Sequence, residues 1–363
     1  MIQRFTKAIQ SEYRTIFSNN GVMLVMIFAP LIYSILYSGA YAKQVATEVP
    51  VAIIDHSNTH SSRVLTTTLN ASPYINITHQ ATDLVEAKRE LLNENIYGII
   101  YIPHNYEDCA LQGCQRSISL YLDASYFLMY RQVLEGVAGT ISSIKERRST
   151  ISLHSHTLYN PALGYGTFIM PAVLLVILQQ TALMGIGMVG ALQRKRGRQS
   201  LLGRLFVYAT IYAPLCAYIF AIHYRVFGYP ENGALGAIIA VIASYMVAVI
   251  TLALALSTLF RRVETPLLLI IWTSIPVLLI SGASLPVEAF PHWMHTIGLL
   301  LPSSSAVPAF IRVQSMGATV SEVMPEIVRL WALIILYCIL YKQSIRAKLL
   351  GYPMPQRDIH TLL

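Results

Sequence analysis

Charge is what this sequence has least of. Only 12% of its 363 residues are Asp, Glu, Lys or Arg, against about 25% in an ordinary soluble domain. Hydrophobic residues make up 55%, and the mean hydropathy is +0.53. A chain so poor in charge belongs in a membrane rather than in water. Acids at depth are missing too: Ser149 to Gln193 holds no charged residue, and no Asp or Glu lies well inside an apolar run. Carriers driven by protons or sodium commonly place ionisable groups there, so the absence weakens that reading, although ions also bind backbone carbonyls. There is no P-loop, nucleophile elbow or zinc-protease motif, and no internal repeat is visible. Any transport work done through this chain must therefore draw its energy from another polypeptide.

Cysteine is sparse, with four in all. Cys216 and Cys338 sit in apolar runs as small core residues. Cys109 and Cys114 share a polar loop, CALQGC, and a local disulfide is expected if that side of the membrane is oxidising. Nearby His104 completes no zinc-ligand spacing.

What is present is a set of long apolar runs with basic collars. The net charge of +8 is unevenly spread: Lys43 to Arg148 holds nine Lys and Arg against eleven Asp and Glu, while the rest holds seventeen against seven. Most of those seventeen flank apolar runs, which is the positive-inside pattern and not a nucleic-acid patch. Residues 1–20 read as an amphipathic interfacial helix, with Phe5, Ile9, Tyr13 and Ile16–Phe17 at helical spacing and Glu12 as the single acid. Residues 21–42 read as a first membrane span; its end, Ala40-Tyr41-Ala42, resembles a signal-peptidase site, but the apolar core is too long and contains Pro30, so a retained span is expected. Residues 43–160 alternate strand and helix patterns (PVAIID, SSRVLTTTLNA, YINITHQ, DLVEAKRELLNEN, YGIIYIP, RSISLYLDAS), the mark of a small α/β domain. A helix from Phe127 to about Ser152 leads back to the membrane.

Residues 161–341 then read as spans two to six. Thr167–Leu192 crosses inward, with Gln179, Gln180 and Thr181 near mid-membrane; polar groups there need partners on other helices or a cavity. The loop that follows carries Arg194, Lys195, Arg196, Arg198 and Arg204, the strongest inside marker. Leu205–Tyr224 goes out, Ala234–Phe260 returns, Thr265–Ile280 goes out again, and Ile327–Tyr341 comes in. Residues 342–363 form a cytoplasmic tail. The stretch TPLLLIIWTSIPVLLISGASLPVEAFPHWMHTIGLLLP departs from simple spans. Its apolar run stops at Ser281-Gly282, Pro286 and Pro291 bar a continuous helix, and the piece Trp293–Leu301 is too short to cross. Residues 282–316 are therefore expected to dip into the membrane and return, shaping an outer gate at Ser281, Gly282, Pro286 and Pro291. The fold class is an α-helical polytopic membrane protein with six transmembrane helices, a re-entrant outer hairpin, and a small α/β extracytoplasmic domain between spans 1 and 2. Both termini are expected inside.

Four stretches carry a resemblance. SEYRTIFSNNGVMLVMIFAPLIY pairs an acid-bearing amphipathic helix with a proline-bearing span. VAIIDHSNTHSSRVL, YGIIYIPHNYEDCALQG and SISLYLDAS hold a strand ending in Asp55, an Ile102-Pro103-His104-Asn105-Tyr106 turn, and Tyr121–Asp123. YNPALGYGTFIMP holds Asn160-Pro161 and Pro171. SGASLPVEAFPHWMHTIGLLLP carries the spacing of Ser281, Gly282, Pro286, Pro291 and Trp293. In this order they resemble the permease subunits of ABC-2-type exporters, in the branch with a large outer domain after the first span. The resemblance implies a chain with no catalytic residue and no cofactor of its own, ATP and Mg being held by a partner ATP-binding cassette subunit. It implies a second permease, identical or similar, around a shared conduit, and an adaptor in a double-membrane cell. Glu12, Arg194, Lys195 and Arg196 would face the ATPase, and Gln179, Gln180 and Thr181 would touch cargo or the mate. One stretch differs: the family's acidic segment after span 2 is replaced by Gln193-Arg194-Lys195-Arg196-Gly197. Either Glu12 and its helix carry more of the ATPase contact, or the chain is the less active half of an unlike pair. The rivals are a receptor or scaffold displaying the outer domain, which one span would suffice to anchor, and a membrane-bound enzyme, for which no reactive constellation is visible.

Overall fold

The computed structural model describes residues 2–42, 47–107, 118–122, 127–146, 164–193, 200–282 and 290–349. The chain divides into two compact units, one of Met1–Ala42 with Gly166–Leu363, the other Lys43–Tyr165.

The second unit is a four-stranded sheet with helices on both faces. Strand β1 (Val49–Asp55) is flanked by β2 (Ile75–Gln80) and β3 (Gly98–Ile102), both parallel to it, and β4 (Ser119–Leu122) runs antiparallel along β3, giving the order β2-β1-β3-β4. Side chains alternate along a strand, and β1 shows what that does. Val49, Val51 and Ile53 enter one core with Leu65, Leu69, Val133 and Val137, which lie on the helices His60–Asn70 and Phe127–Glu146. Ala52 and Ile54 enter the opposite core with Ala87 of the helix Leu84–Leu92. A strand buried on both faces reads as a continuous apolar run, as PVAIID does. The terminal Asp55 is structural: its carboxylate accepts from the backbone N–H groups of Ser57 (2.9 Å) and Asn58 (3.0 Å) and from the Ser62 hydroxyl (2.6 Å), tying the strand to the next helix.

The first unit is helical. We number its helices α1 (Ile2–Phe17), α2 (Asn20–Ala40), α3 (Tyr165–Leu192), α4 (Leu201–Val226), α5 (Leu235–Ser257), α6 (Glu264–Ile280), α7 (His292–Gly298), α8 (Pro302–Met316) and α9 (Met324–Leu349). Five of these, α2 to α5 and α9, are long and apolar enough to cross a membrane, or six if α7 and α8 count as one bent span. The 17-residue α6 is apolar but shorter, against about 20 residues for a full crossing. Two spans contain wide π turns. The one at Leu24–Phe28 directly precedes Pro30, whose ring would strike the Met26 carbonyl in a regular α turn; the other, Tyr218–His223, follows Pro214.

The last helix and the first depart most from the sequence reading. The last helix begins at Met324 and runs to Leu349, so Arg329 lies inside it on an exposed face; the hydropathy pattern stopped at its polar ends. On α1 the buried stripe is Ala8, Glu12 and Ile16, with Phe5, Ile9 and Tyr13 half-buried beside it. A charged residue therefore occupies the centre of the buried face.

Candidate functional site: a buried ionic junction and the corner beside it

Glu12 is fully buried, and so are the groups around it. Ser200 accepts from the Gly203 N–H and starts α4 there, which lifts Arg204 out of the basic loop and into the first turn of a helix. Tyr208 follows four residues on, on the same face. The Arg204 Nε donates to Glu12 Oε1 at 2.6 Å, the Tyr208 hydroxyl donates to Glu12 Oε2 at 2.5 Å, and Arg204 Nη1 donates to the Tyr341 hydroxyl at 3.3 Å. One carboxylate thus ties α1 to α4, and one guanidinium ties both to α9. Gly203 makes this possible: a Cβ there would stand 3.0 Å from both the Ala8 Cβ and the Phe5 carbonyl oxygen. Tyr13 and Thr210 share a hydroxyl hydrogen bond of 2.6 Å further along the seam. Gln193, just past the end of α3, donates to Thr15 Oγ1 (2.8 Å) and the Ser11 carbonyl (3.2 Å). Helix α1 is bonded directly to α4 and to the end of α3, and through Arg204 to α9.

Buried charge pairs give little net stability but are costly to break, because the remaining partner is left uncompensated in a low dielectric. Such a junction therefore moves as one piece. The carboxylate expected at a partner-facing surface is instead turned inward with both oxygens engaged. Arg194, Lys195 and Arg196 lie outside the described residues.

Gln179, Gln180 and Thr181 of α3 are internal as well. Gln179 donates to the Ser303 hydroxyl (3.4 Å), joining α3 to α8, while the Tyr245 hydroxyl of α5 donates to the Leu175 carbonyl of α3 (2.8 Å) and lies 3.4 Å from the Gln179 Oε1. Thr181 turns its hydroxyl back to the Ile177 carbonyl at 2.8 Å. Gln180 is buried with neither amide atom hydrogen-bonded.

Ser303 belongs to a sharp corner. Helices α7 and α8 meet at 85°, Pro302 supplies the first turn of α8 where its missing N–H costs nothing, and the Tyr337 hydroxyl donates to the Leu300 carbonyl at 2.5 Å. The end of α6 packs against this corner through the Ser304 hydroxyl, which donates to the Ile280 carbonyl at 3.3 Å. Ser281 is buried with its hydroxyl on the Leu278 carbonyl, and Gly282 takes φ of 81°, a left-handed turn that favours glycine. Pro291 caps the start of α7. Pro286, Cys109 and Cys114 lie outside the described residues. The sequence reading missed Arg204 and Tyr208 as partners of Glu12, and Ser303 and Tyr245 as partners of Gln179. The available signal was Glu12 itself, four residues from Ala8 and four from Ile16 on the face the helix buries.

A bundle of apolar helices, with several of its polar groups turned inward and a bent helix pair among them, defines a polytopic membrane protein. The family model described as ABC-2 family transporter protein matches residues 21–341, and the chain belongs to that family: it is an ABC-2-type permease, the membrane component of an ABC transporter. Among curated proteins none matches it.

Proposed function

We propose that the chain is the membrane-spanning subunit of an ATP-driven exporter and forms half of a translocation pathway. A separate ATP-binding cassette subunit binds ATP and Mg and supplies the energy. The mate is a second copy or a similar permease. Six spans, α6 included, cross the cell membrane with both termini cytoplasmic, and the α/β unit lies outside the cytoplasm, where an adaptor docks in a double-membrane cell. The corner between α7 and α8 dips into the outer leaflet and guards the exit.

The observation that carries this reading is the Glu12–Arg204–Tyr208–Tyr341 junction. Closure of the ATPase pushes on α1 and the inner loops. A helix held by one buried ion pair cannot yield locally, so the push reaches α4 and α9 as rigid-body motion. Glu12 serves as a positioning residue within this chain, and the basic 194–196 stretch is left to meet the ATPase. The experiment is to co-purify the tagged chain with its ATPase and follow cargo efflux in proteoliposomes. Efflux should require ATP and vanish when the P-loop lysine of the ATPase is replaced. A chain that purifies without any ATPase, or that transports uphill without nucleotide, overturns the proposal.

A further inference from the structure

A cavity of about 660 Å³ is lined mainly by α4 and α5. Its wall on α4 carries the alanines Ala209, Ala213, Ala217 and Ala221 at four-residue spacing, which leaves a strip of low bulk along roughly 18 Å of helix, flanked by Tyr212, Cys216 and Phe220. The mouth is different in kind. There Arg225, whose side chain is 75% exposed, pairs with Glu231 at 3.1 Å, and both line the cavity. Gln314 of α8 also lines it. This residue is 1% exposed; its Nε2 donates to the Pro230 carbonyl at 3.2 Å, while its Oε1 accepts from nothing in the protein. The turn carrying Glu231 is fixed in place, since Asn232 donates from its backbone N–H to the Gln314 carbonyl (3.0 Å) and from its side chain to the Ser315 carbonyl (2.8 Å).

An apolar cleft inside a bilayer does not select its occupant by hydrophobicity, because a hydrocarbon tail gains little by leaving one apolar surrounding for another. Selection has to come from the mouth. A guanidinium recognises phosphate. A carboxylate together with an unsatisfied amide oxygen recognises a cationic N–H donor. The two signs lie side by side and sum to zero, so they suit a headgroup that carries both. We propose that this cleft is a seat for a zwitterionic phospholipid with a primary amine, a phosphatidylethanolamine. One acyl chain lies along the alanine stripe, the phosphate rests on Arg225, and the ammonium is held by Glu231 and Gln314 Oε1. The bound lipid wedges α4 apart from α5 at the end away from the Glu12–Arg204 junction.

The test uses the full-length chain with its natural partners in nanodiscs made from equal parts of phosphatidylethanolamine and phosphatidylglycerol with identical acyl chains. Native mass spectrometry then counts the lipids that survive collisional stripping. One phosphatidylethanolamine per chain should be retained in preference to phosphatidylglycerol. Glu231→Gln and Gln314→Leu should each weaken that preference about tenfold, and Ala217→Trp, which fills the stripe, should abolish retention. The wild-type headgroup comparison needs no variant, so a misfolded substitution leaves the test intact. Equal retention of the two lipids, retention of none, or a cysteine cross-link at Ile239→Cys showing a second copy seated in the cleft would each overturn the proposal.

Discussion

The buried ion pair offers the sharpest test of how α1 is held. Glu12→Gln keeps the shape of the side chain and an acceptor for Tyr208, but removes the charge opposite Arg204. The Arg204 side chain is only 9% exposed, and its Nη2 has no hydrogen-bond partner among the described residues, so no second carboxylate replaces the lost one. Breaking one side of a buried pair costs about 3–5 kcal/mol. For a unit of this size each kcal/mol moves the melting temperature by about 2–4 °C, so a drop of about 6–20 °C is expected. Removing both charges, Glu12→Gln with Arg204→Met, leaves no orphan and should restore most of the loss, giving a strong interaction energy in the double-mutant cycle. The assay is thermal unfolding of the purified chain in detergent, followed by ATP-driven efflux for the double variant with its ATPase. A stable double variant should show impaired efflux per ATP hydrolysed, since α1 is no longer riveted to α4. A Glu12→Gln chain that melts within about 1 °C of wild type would refute the energetic argument. A double variant that exports at full coupling would refute the mechanical one.

The mid-membrane amides should respond in opposite directions. Gln179→Leu removes the long hydrogen bond to Ser303 while Tyr245 keeps its shorter bond to the Leu175 carbonyl, and should destabilise by about 0.6 kcal/mol, in line with such bonds in other membrane proteins; Gln180→Leu removes an amide without partners and should be neutral or stabilising, both read by thermal unfolding. Gly203→Val should force α1 away from α4 and be read as loss of a cysteine cross-link engineered between Phe5 and Phe206, whose rings lie 6.2 Å apart across the seam. In the α/β unit, the Glu86 carboxylate accepts from the Thr82 backbone N–H and hydroxyl, both at 2.9 Å, and the backbone bond is the first cause holding its pKa below the ordinary 4.5. Because the folded value is the lower one, the stabilisation is present above 4.5 and is lost as pH falls through the depressed folded value. The protection factor of the Thr82 amide, the observed rate set against the intrinsic rate at the same pH, should therefore fall on acidification through that window, and Glu86→Ala should show a low, pH-independent protection factor.

The α/β unit was nearly all legible because each strand and helix carries its own periodicity, and Pro, Asn and Asp punctuate the joints. The long apolar runs were equally plain. What escaped was pairing at a distance. Arg204 follows Arg194, Lys195, Arg196 and Arg198, so in sequence it counts as one more loop charge; only the cap at Ser200 makes it helical and turns it toward a carboxylate 192 positions earlier. The α1 stripe was misjudged by one residue for the same reason. Large apolar side chains mark a face in a hydropathy pattern, whereas the residues that are buried, Ala8 and Glu12, are small or charged and are explained only by Gly203 and Arg204 opposite. Likewise the Gln179 amide could be seen to need partners, but Ser303 and Tyr245 sit on helices whose order around α3 no local signal encodes.

Helix α3 has 89% of its apolar window enclosed by its own chain, while α2 has 28% and α9 33%. It is the spindle of the bundle, with scarcely any outward flank to offer a neighbour. Whatever surrounds the bundle is met by the peripheral helices, α2, α9 and the Trp272-bearing flank of α6, where that residue stands 79% uncovered. Substitutions on the spindle will register as chains that never assemble, and those on the flanks as chains that assemble alone.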